Sequence, residues 1–258
     1  MKEKSFCHPL KGWFLKQKNE TKLLFHSIPA AVVALFVLSV VAMNILANKT
    51  IYQNGWIAID GGILVSWLSF LCMDIITKHF GPKASIKVTI FAMLVNLLTC
   101  LIFWVVSIIP AGPEFAEFDH VVGGTWYVLL SSTIAFLSSG IINIWLNYFV
   151  GLIFKKNPNG RFAFYTRTYV STFIGQFFDN FIFAIFAFMV FFPIFQGWGW
   201  NLLECFTCSV LGAAIELVCE IVFSPFGFYV TKKWREDNVG KEYIETYADE
   251  KTAKSVEA

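Results

Sequence analysis

Six long apolar runs separated by short polar connections organise the chain, over approximately 25–47, 56–77, 85–109, 122–154, 167–195 and 201–230. Each reaches the ~20 residues that a helix needs to cross the hydrocarbon core of a bilayer. Runs of this length in lipid must be helical, because a lone strand leaves its backbone hydrogen bonds unmade. Gly81-Pro82, Pro110 with Gly112-Pro113, Pro158 with Gly160, and Gly197-Trp198-Gly199 punctuate the connections. The fourth run exceeds the required length and carries Gly123-Gly124, so its first turns are candidates for lying outside the bilayer. The pattern predicts an all-α integral membrane protein with six transmembrane helices. It consists of an N-terminal tail over 1–24, a membrane domain over 25–230 and a C-terminal tail over 231–258, the latter frayed or in short helix. No loop is long enough to form a soluble domain, so function is expected among the helices.

Charge orients this arrangement. Nineteen of the 20 basic residues lie in the two tails, in the second and fourth connections, or at the start of the run that follows each connection; Lys49 alone sits in an intervening loop. The third connection is acidic, with Glu114, Glu117 and Asp119. Basic loops stay on the cytoplasmic side, which predicts that both termini are cytoplasmic. The same concentration of charge suits an anionic lipid leaflet and argues against a nucleic-acid partner. The first run is too long for the apolar core of a cleaved signal peptide.

Composition agrees: 57% of residues are hydrophobic, only 15% are charged, and mean hydropathy is +0.62. Seven tryptophans, Trp13, Trp56, Trp104, Trp126, Trp198, Trp200 and Trp234, fall near span ends, where interfacial belts form. Of the six cysteines, five lie in predicted spans and Cys7 in the N-terminal tail, so no disulfide framework is implied. Cys205-x-x-Cys208 reads as small packing residues, since no histidine or second cysteine pair accompanies it.

Ionisable groups inside spans are costly and mark candidate sites. The fifth run carries Arg167, Ser171, Gly175 and Asp179 at four-residue spacing, with Thr172, Gln176 and Asn180 on the neighbouring stripe. This polar ribbon reads either as a substrate wall or as helix–helix glue. A deep aspartate exceeds what glue requires and favours the substrate wall. Glu216 and Glu220 are four apart on the sixth run; a proton, a cation or a donor-rich ligand would relieve their repulsion. Asp74 and Lys78 form a favourably ordered pair at the cytoplasmic end of the second run. Asp60 and Glu204 are expected at the outer interface. Asn44 with Asn48, and Asn143 with Asn147, are amide pairs that can read a ligand edge or cross-link helices. No nucleotide-binding, zinc-protease or nucleophile-elbow motif is present, and no metal, cofactor or catalytic residue is expected.

The segments MNILANK (Met43–Lys49), DIITKHFG (Asp74–Gly81), RTYVSTFIGQFFDNFIF (Arg167–Phe183) and EIVFSPFGFYVTKK (Glu220–Lys233) together resemble the queuosine-precursor transporters, a vitamin-uptake type of family. Lys78 and Gln176 depart from it, standing where relatives commonly carry acids. The resemblance implies a multi-pass protein of the bacterial plasma membrane that imports 7-deazaguanine bases for tRNA modification. It implies no covalent chemistry on them. A carboxylate then accepts the ring N–H and amino group side by side. Gln176, Asn180 or Asn44 supplies an N–H to the carbonyl, and Phe173, Phe177 or Phe178 meets the ring faces. Asp179, Glu220, Gln176, Asn180, Asn44, Arg167, Asp74, Glu216 and Asn143 are the candidate ligand-binding residues. The alternative is a substrate-binding subunit of an ATP-driven importer. The chain has no ATPase of its own, and Ala30-x-x-x-Ala34 offers a small-residue face to a coupling module or a second copy.

Overall fold

The computed structural model describes residues 8–136, 138–139 and 161–247. Helices dominate. They are α1 (His8–Ser27), α2 (Ala30–Leu46), α3 (Ile63–Phe80), α4 (Pro82–Ser107), α5 (Ala116–Gly123), α6 (residues 125–136 and 138–139), α7 (Arg161–Ala184), α8 (Phe192–Phe195), α9 (Leu202–Glu236) and α10 (Lys241–Tyr247). A seven-residue π-helix, Ile185–Phe191, joins α7 to α8 without a break in helical backbone.

Three stretches have the length and apolarity to cross a membrane: Pro82–Ser107, Phe173–Phe195 and Leu202–Phe223. Leu15–Ser27 and Ala30–Leu46 would add a fourth as a single broken span, but they bend by 101°. Pro29 sits at this bend, where its missing N–H and fixed φ stop α1 from continuing. Ile63–Thr77 is a shorter apolar helix. The six expected runs therefore become three or four full-length candidates among the described residues. About half of the fourth expected span lies outside them. Its expected start at 122 is corrected to 125, because α5 ends at Gly123 and Gly124 separates it from α6.

The second expected span also starts too early. Residues 50–60 form an antiparallel hairpin, β1 (Thr50–Asn54) with β2 (Ile57–Asp60); Tyr52↔Ile59 to Asn54↔Ile57 pair in register, and the register shifts between Tyr52 and the Thr50↔Asp60 pair. Gly55 has φ +56° at the first central position of the turn, as tight hairpins matched to sheet twist require. In β2 the two faces alternate between half-buried and buried side chains, the period of a strand rather than a span. Gly61 and Gly62 then let the chain press against the end of α2. A Cβ on Gly61 would fall 2.5 Å from the Leu46 carbonyl oxygen, and one on Gly62 2.8 Å from that of Met43.

The chain divides into two compact units. Residues 1–38, 68–93 and 223–258 form the first; residues 39–67 and 94–222 form the second. In the first unit, α10 packs on α1, with Tyr243 and Ile244 buried. His79, Phe80, Trp234 and Tyr243 make an aromatic cluster in edge-to-face contacts, and the His79 Nε2 lies 2.9 Å from the Val239 carbonyl oxygen. Glu20, buried on α1, pairs with Lys87 of α4 at 3.0 Å and accepts from the Tyr243 hydroxyl at 3.4 Å. Parts of both expected tails thus contribute packed helix, α10 being the short helix allowed for at the C-terminal end.

The second unit has an aromatic core of Tyr127, Phe188, Phe192 and Trp200, joined by Cys205 and Cys208 as small packing residues. Phe188 stacks on Trp200 at 3.9 Å, and its carbonyl accepts from the Trp200 N–H of the backbone at 3.0 Å. Trp200 here, and Trp234 in the first unit, are buried rather than part of an interfacial belt, whereas Trp56, Trp104 and Trp126 are exposed as a belt requires.

Candidate functional site

The polar ribbon of α7 lies in the second unit, where it meets α6 and α9. Ser139 of α6 donates to Asp179 Oδ1 at 2.7 Å. One residue on, the Asn180 amide donates to Glu216 Oε2 of α9 at 3.2 Å. The Ser66 hydroxyl at the start of α3 lies against the same Glu216 carboxyl, which is 2% exposed. Asp179 and Glu216 are close enough for their charges to interact. A cluster of two acids, an amide and two hydroxyls therefore forms from four helices.

Glycine makes the approach of α9 to α7 possible. A Cβ on Gly212 would lie 2.8 Å from the Asn180 amide nitrogen and 3.4 Å from Ile63 Cδ1. Gly212 and Glu216 are one turn apart on α9, so the small residue and the carboxylate present the same helical face to Asn180. Gln176, one turn before Asn180, is buried, and its Oε1 has no hydrogen-bond partner among the described residues. A buried amide oxygen without a donor is an acceptor held ready at a cost of about 1–3 kcal/mol. Phe177 stacks on Phe181 at 5.6 Å and meets Phe178 and Phe206 edge-to-face.

What the cluster lacks decides its chemistry. Among the described residues no lysine or arginine pairs with Asp179 or Glu216, and no group of three metal-ligating side chains occurs. Their acceptor capacity is met by neutral donors, a hydroxyl and an amide. The arrangement suits a ligand that brings N–H groups of its own and has a flat apolar body.

Other expected residues fare differently. Asn44 is buried but donates to its own helix at Val40 O (3.0 Å), and Asn48 donates to the carbonyls of Asn44 and Ile45, both at 3.1 Å. Their amide donors thus bond back to the helix backbone instead of to each other. The side chains of Asp74, Lys78, Arg167, Ser171, Thr172 and Glu220, and the whole of Asn143 and Asn147, lie outside the described residues.

The two acids expected at the outer interface, Glu204 and Asp60, are buried within the protein. Glu204 closes a capping box at the start of α9: its carboxylate accepts from the Asn201 N–H at 2.8 Å, and Asn201 Oδ1 accepts from the Glu204 N–H at 3.0 Å. Gln53 of the hairpin donates to Glu204 at 2.9 Å, and Thr207 donates to the Trp56 carbonyl at 2.6 Å. Asp60 accepts from the Gly62 N–H at 2.7 Å and from the Cys208 thiol at 3.6 Å. Burial pushes its carboxyl up from 3.8 to about 6, against these hydrogen bonds. The N-x-x-E spacing of Asn201 and Glu204 was the available signal for the cap. Asn54-Gly55 was the signal for the hairpin that buries Asp60.

No curated protein and no solved structure matches the chain. Residues 60–230, more than half of it, match the family model described as "Putative vitamin uptake transporter", which spans the α7–α9 cluster. The chain therefore belongs to that family, one of multi-pass membrane transporters for small molecules and not of enzymes.

Proposed function

We propose that the protein imports queuosine precursors, 7-deazaguanine bases used in tRNA modification, across the bacterial plasma membrane. Its chain would cross six times with both termini cytoplasmic. Membership of a vitamin-type uptake family supplies the transport class. The resemblance of the four segments named above supplies the substrate. The observation that carries the reading is the α7 motif itself: its Asp179 and Asn180 meet Ser139 and Glu216 in a buried cluster without a cation among the described residues.

The chemistry fits a base. A carboxylate of Asp179 or Glu216 accepts the adjacent ring N–H and amino group, replacing the hydroxyl or amide it now holds. The unpartnered Gln176 Oε1 accepts another N–H, and rotation of either amide offers a donor to the ring carbonyl. Rings of the Phe177 group provide apolar faces. Guanine shares the donor edge, so discrimination falls to the 7 position. An apolar wall there leaves guanine N7 unpaired, at about 1–3 kcal/mol.

The test is a host unable to make the precursor, supplied with the cyano or aminomethyl base, or queuine, at low concentration. Queuosine should appear in its tRNA only when this protein is expressed, and excess guanine should compete poorly. Absence of queuosine with all three bases, despite protein in the membrane, would remove the assignment. Uptake by the purified chain in liposomes would show that it needs no ATP-driven coupling module.

A further inference from the structure

A basic surface on α1 has no role in the cluster above. α1 leaves the line of α2 at 101°, so if α2 enters the bilayer, α1 runs along its surface. One arc of α1 is fixed to the first unit: Glu20 to Lys87, Leu24 and Ile28 fully buried. The opposite arc exposes Lys18, Lys22 and His26, with Leu15 among them at 60% exposure. No acidic partner is recorded for Lys18 or Lys22 among the described residues.

A shallow groove follows this arc, lined by Gln17, Lys18, Thr21, Lys22 and Phe25. Its lining is mixed: the two lysines share it with Phe25, which meets Phe91 of α4 edge-to-face at 4.9 Å. Phe91 belongs to an exposed apolar stripe on α4 that also shows Ile86 and Ile90. Lys87, on the same helix face, reaches back to α1 and donates to the Thr21 hydroxyl at 3.3 Å. Cationic groups therefore stand next to a membrane-type apolar surface, with an aromatic ring at the junction.

We infer that this groove holds an anionic phospholipid, its phosphate between Lys18 and Lys22 and an acyl chain along Phe25, Phe91 and Ile90. Neither half alone selects this ligand. A free phosphate uses the lysines and ignores the apolar stripe; a zwitterionic lipid uses the stripe and gains little from the lysines. The site would lie at the cytoplasmic leaflet under the proposed topology, where anionic lipids attract basic segments. It does not depend on which base is carried.

The experiment uses the full-length protein in neutral detergent. Thermal unfolding and lipid retention in native mass spectrometry are followed with phosphatidylglycerol, phosphatidylcholine or inorganic phosphate. Phosphatidylglycerol should bind and raise the Tm; the other two should not. Each lysine near an anionic headgroup contributes about fivefold in affinity. Lys18→Gln with Lys22→Gln should therefore weaken phosphatidylglycerol about 30-fold, and the double arginine variant should restore it. Lys16→Gln, off the groove, should change nothing. Equal stabilisation by phosphatidylcholine, an effect of phosphate alone, or undiminished binding in the double glutamine variant would each overturn the proposal. The assignment of the transported base would survive that failure.

Discussion

Glu20 and Glu216 are both buried glutamates on helices of an apolar protein, and they are satisfied in opposite ways. Glu20 has a lysine at 3.0 Å and a tyrosine hydroxyl at 3.4 Å. Glu216 has an asparagine amide at 3.2 Å and the Ser66 hydroxyl, with Asp179 nearby and no cation among the described residues. A carboxylate matched by an opposite charge is already complete. Displacing Lys87 would strand two charges, so Glu20 fastens α1 to α4. A carboxylate matched by neutral donors can exchange them for a ligand's donors at little net cost. Burial alone therefore does not mark a site in a membrane protein; the charge of the partner does.

This contrast breaks most sharply at the cluster. Asp179→Asn should reduce uptake at least about 100-fold, because the amide cannot accept two N–H groups at once; a loss of one charged acceptor pairing is of that order. Glu216→Gln should do the same. Both proteins should still insert and accumulate, as judged by membrane fractionation, since each change keeps the side chain's size and strands no cation among the described residues. Uptake at the parental rate would make the cluster structural. Gly212→Ala is the finer instrument. Alanine favours helix by about 1 kcal/mol, yet its Cβ displaces the Asn180 amide. Uptake should fall about tenfold, the worth of one hydrogen bond, while the Tm stays level or rises.

The fastener should respond in the reverse sense. Lys87→Met leaves Glu20 buried without its counter-charge, and breaking a pair of this kind costs about 3 kcal/mol. Glu20→Gln with Lys87→Met should recover most of that loss. Transport per folded molecule should stay within about twofold throughout, because the variant acts on stability. A double variant no better than Lys87→Met would show that the residues do not act as a pair.

The sequence made some of this legible and hid the rest, for physical reasons. The Asp179 and Asn180 ribbon stood out because a polar stripe is costly in a Phe-rich helix. Its pairings did not. Ser139 lies 40 residues before Asp179 and Glu216 36 residues after Asn180, and long-range pairing leaves no mark on local periodicity. Four-residue spacing sets Glu216 beside Glu220, whose side chain lies outside the described residues, and says nothing of the partners Glu216 has on α7 and α3. The hairpin was missed because Trp56, Ile57, Ala58 and Ile59 continue an apolar run into α3; the turn at Asn54-Gly55 carried more information than hydropathy. The burial of Asp60 and Glu204 was equally hidden, since the hairpin and the α9 cap that bury them are long-range partners. Glu20 offered nothing in sequence to separate it from any charged residue of a tail.

Asp60 gives a pH-dependent test of that buried hairpin corner, smaller than the preceding effects. Desolvation is the largest cause of its raised value, so the fold favours the protonated carboxyl. Below the ordinary value of 3.8 the group is protonated in both folded and unfolded chains, and its contribution to stability is full. Between 3.8 and about 6 the unfolded chain gives up the proton and the folded one retains it, so this contribution is lost as pH rises. Above about 6 the folded protein carries the buried charge and the loss is complete. The shift, in which the opposing Gly62 and Cys208 hydrogen bonds are already included, corresponds to at most about 3 kcal/mol. Asp60→Asn has no such titration. The difference in Tm between the parent and Asp60→Asn, followed by tryptophan fluorescence from pH 4 to 7.5, should therefore move against the parent as pH rises and level off near neutrality. Other titrating groups cancel in that difference. A flat difference, or one that moves in the parent's favour, would mean that Asp60 is ionised across the range and that its corner of the hairpin is open to water.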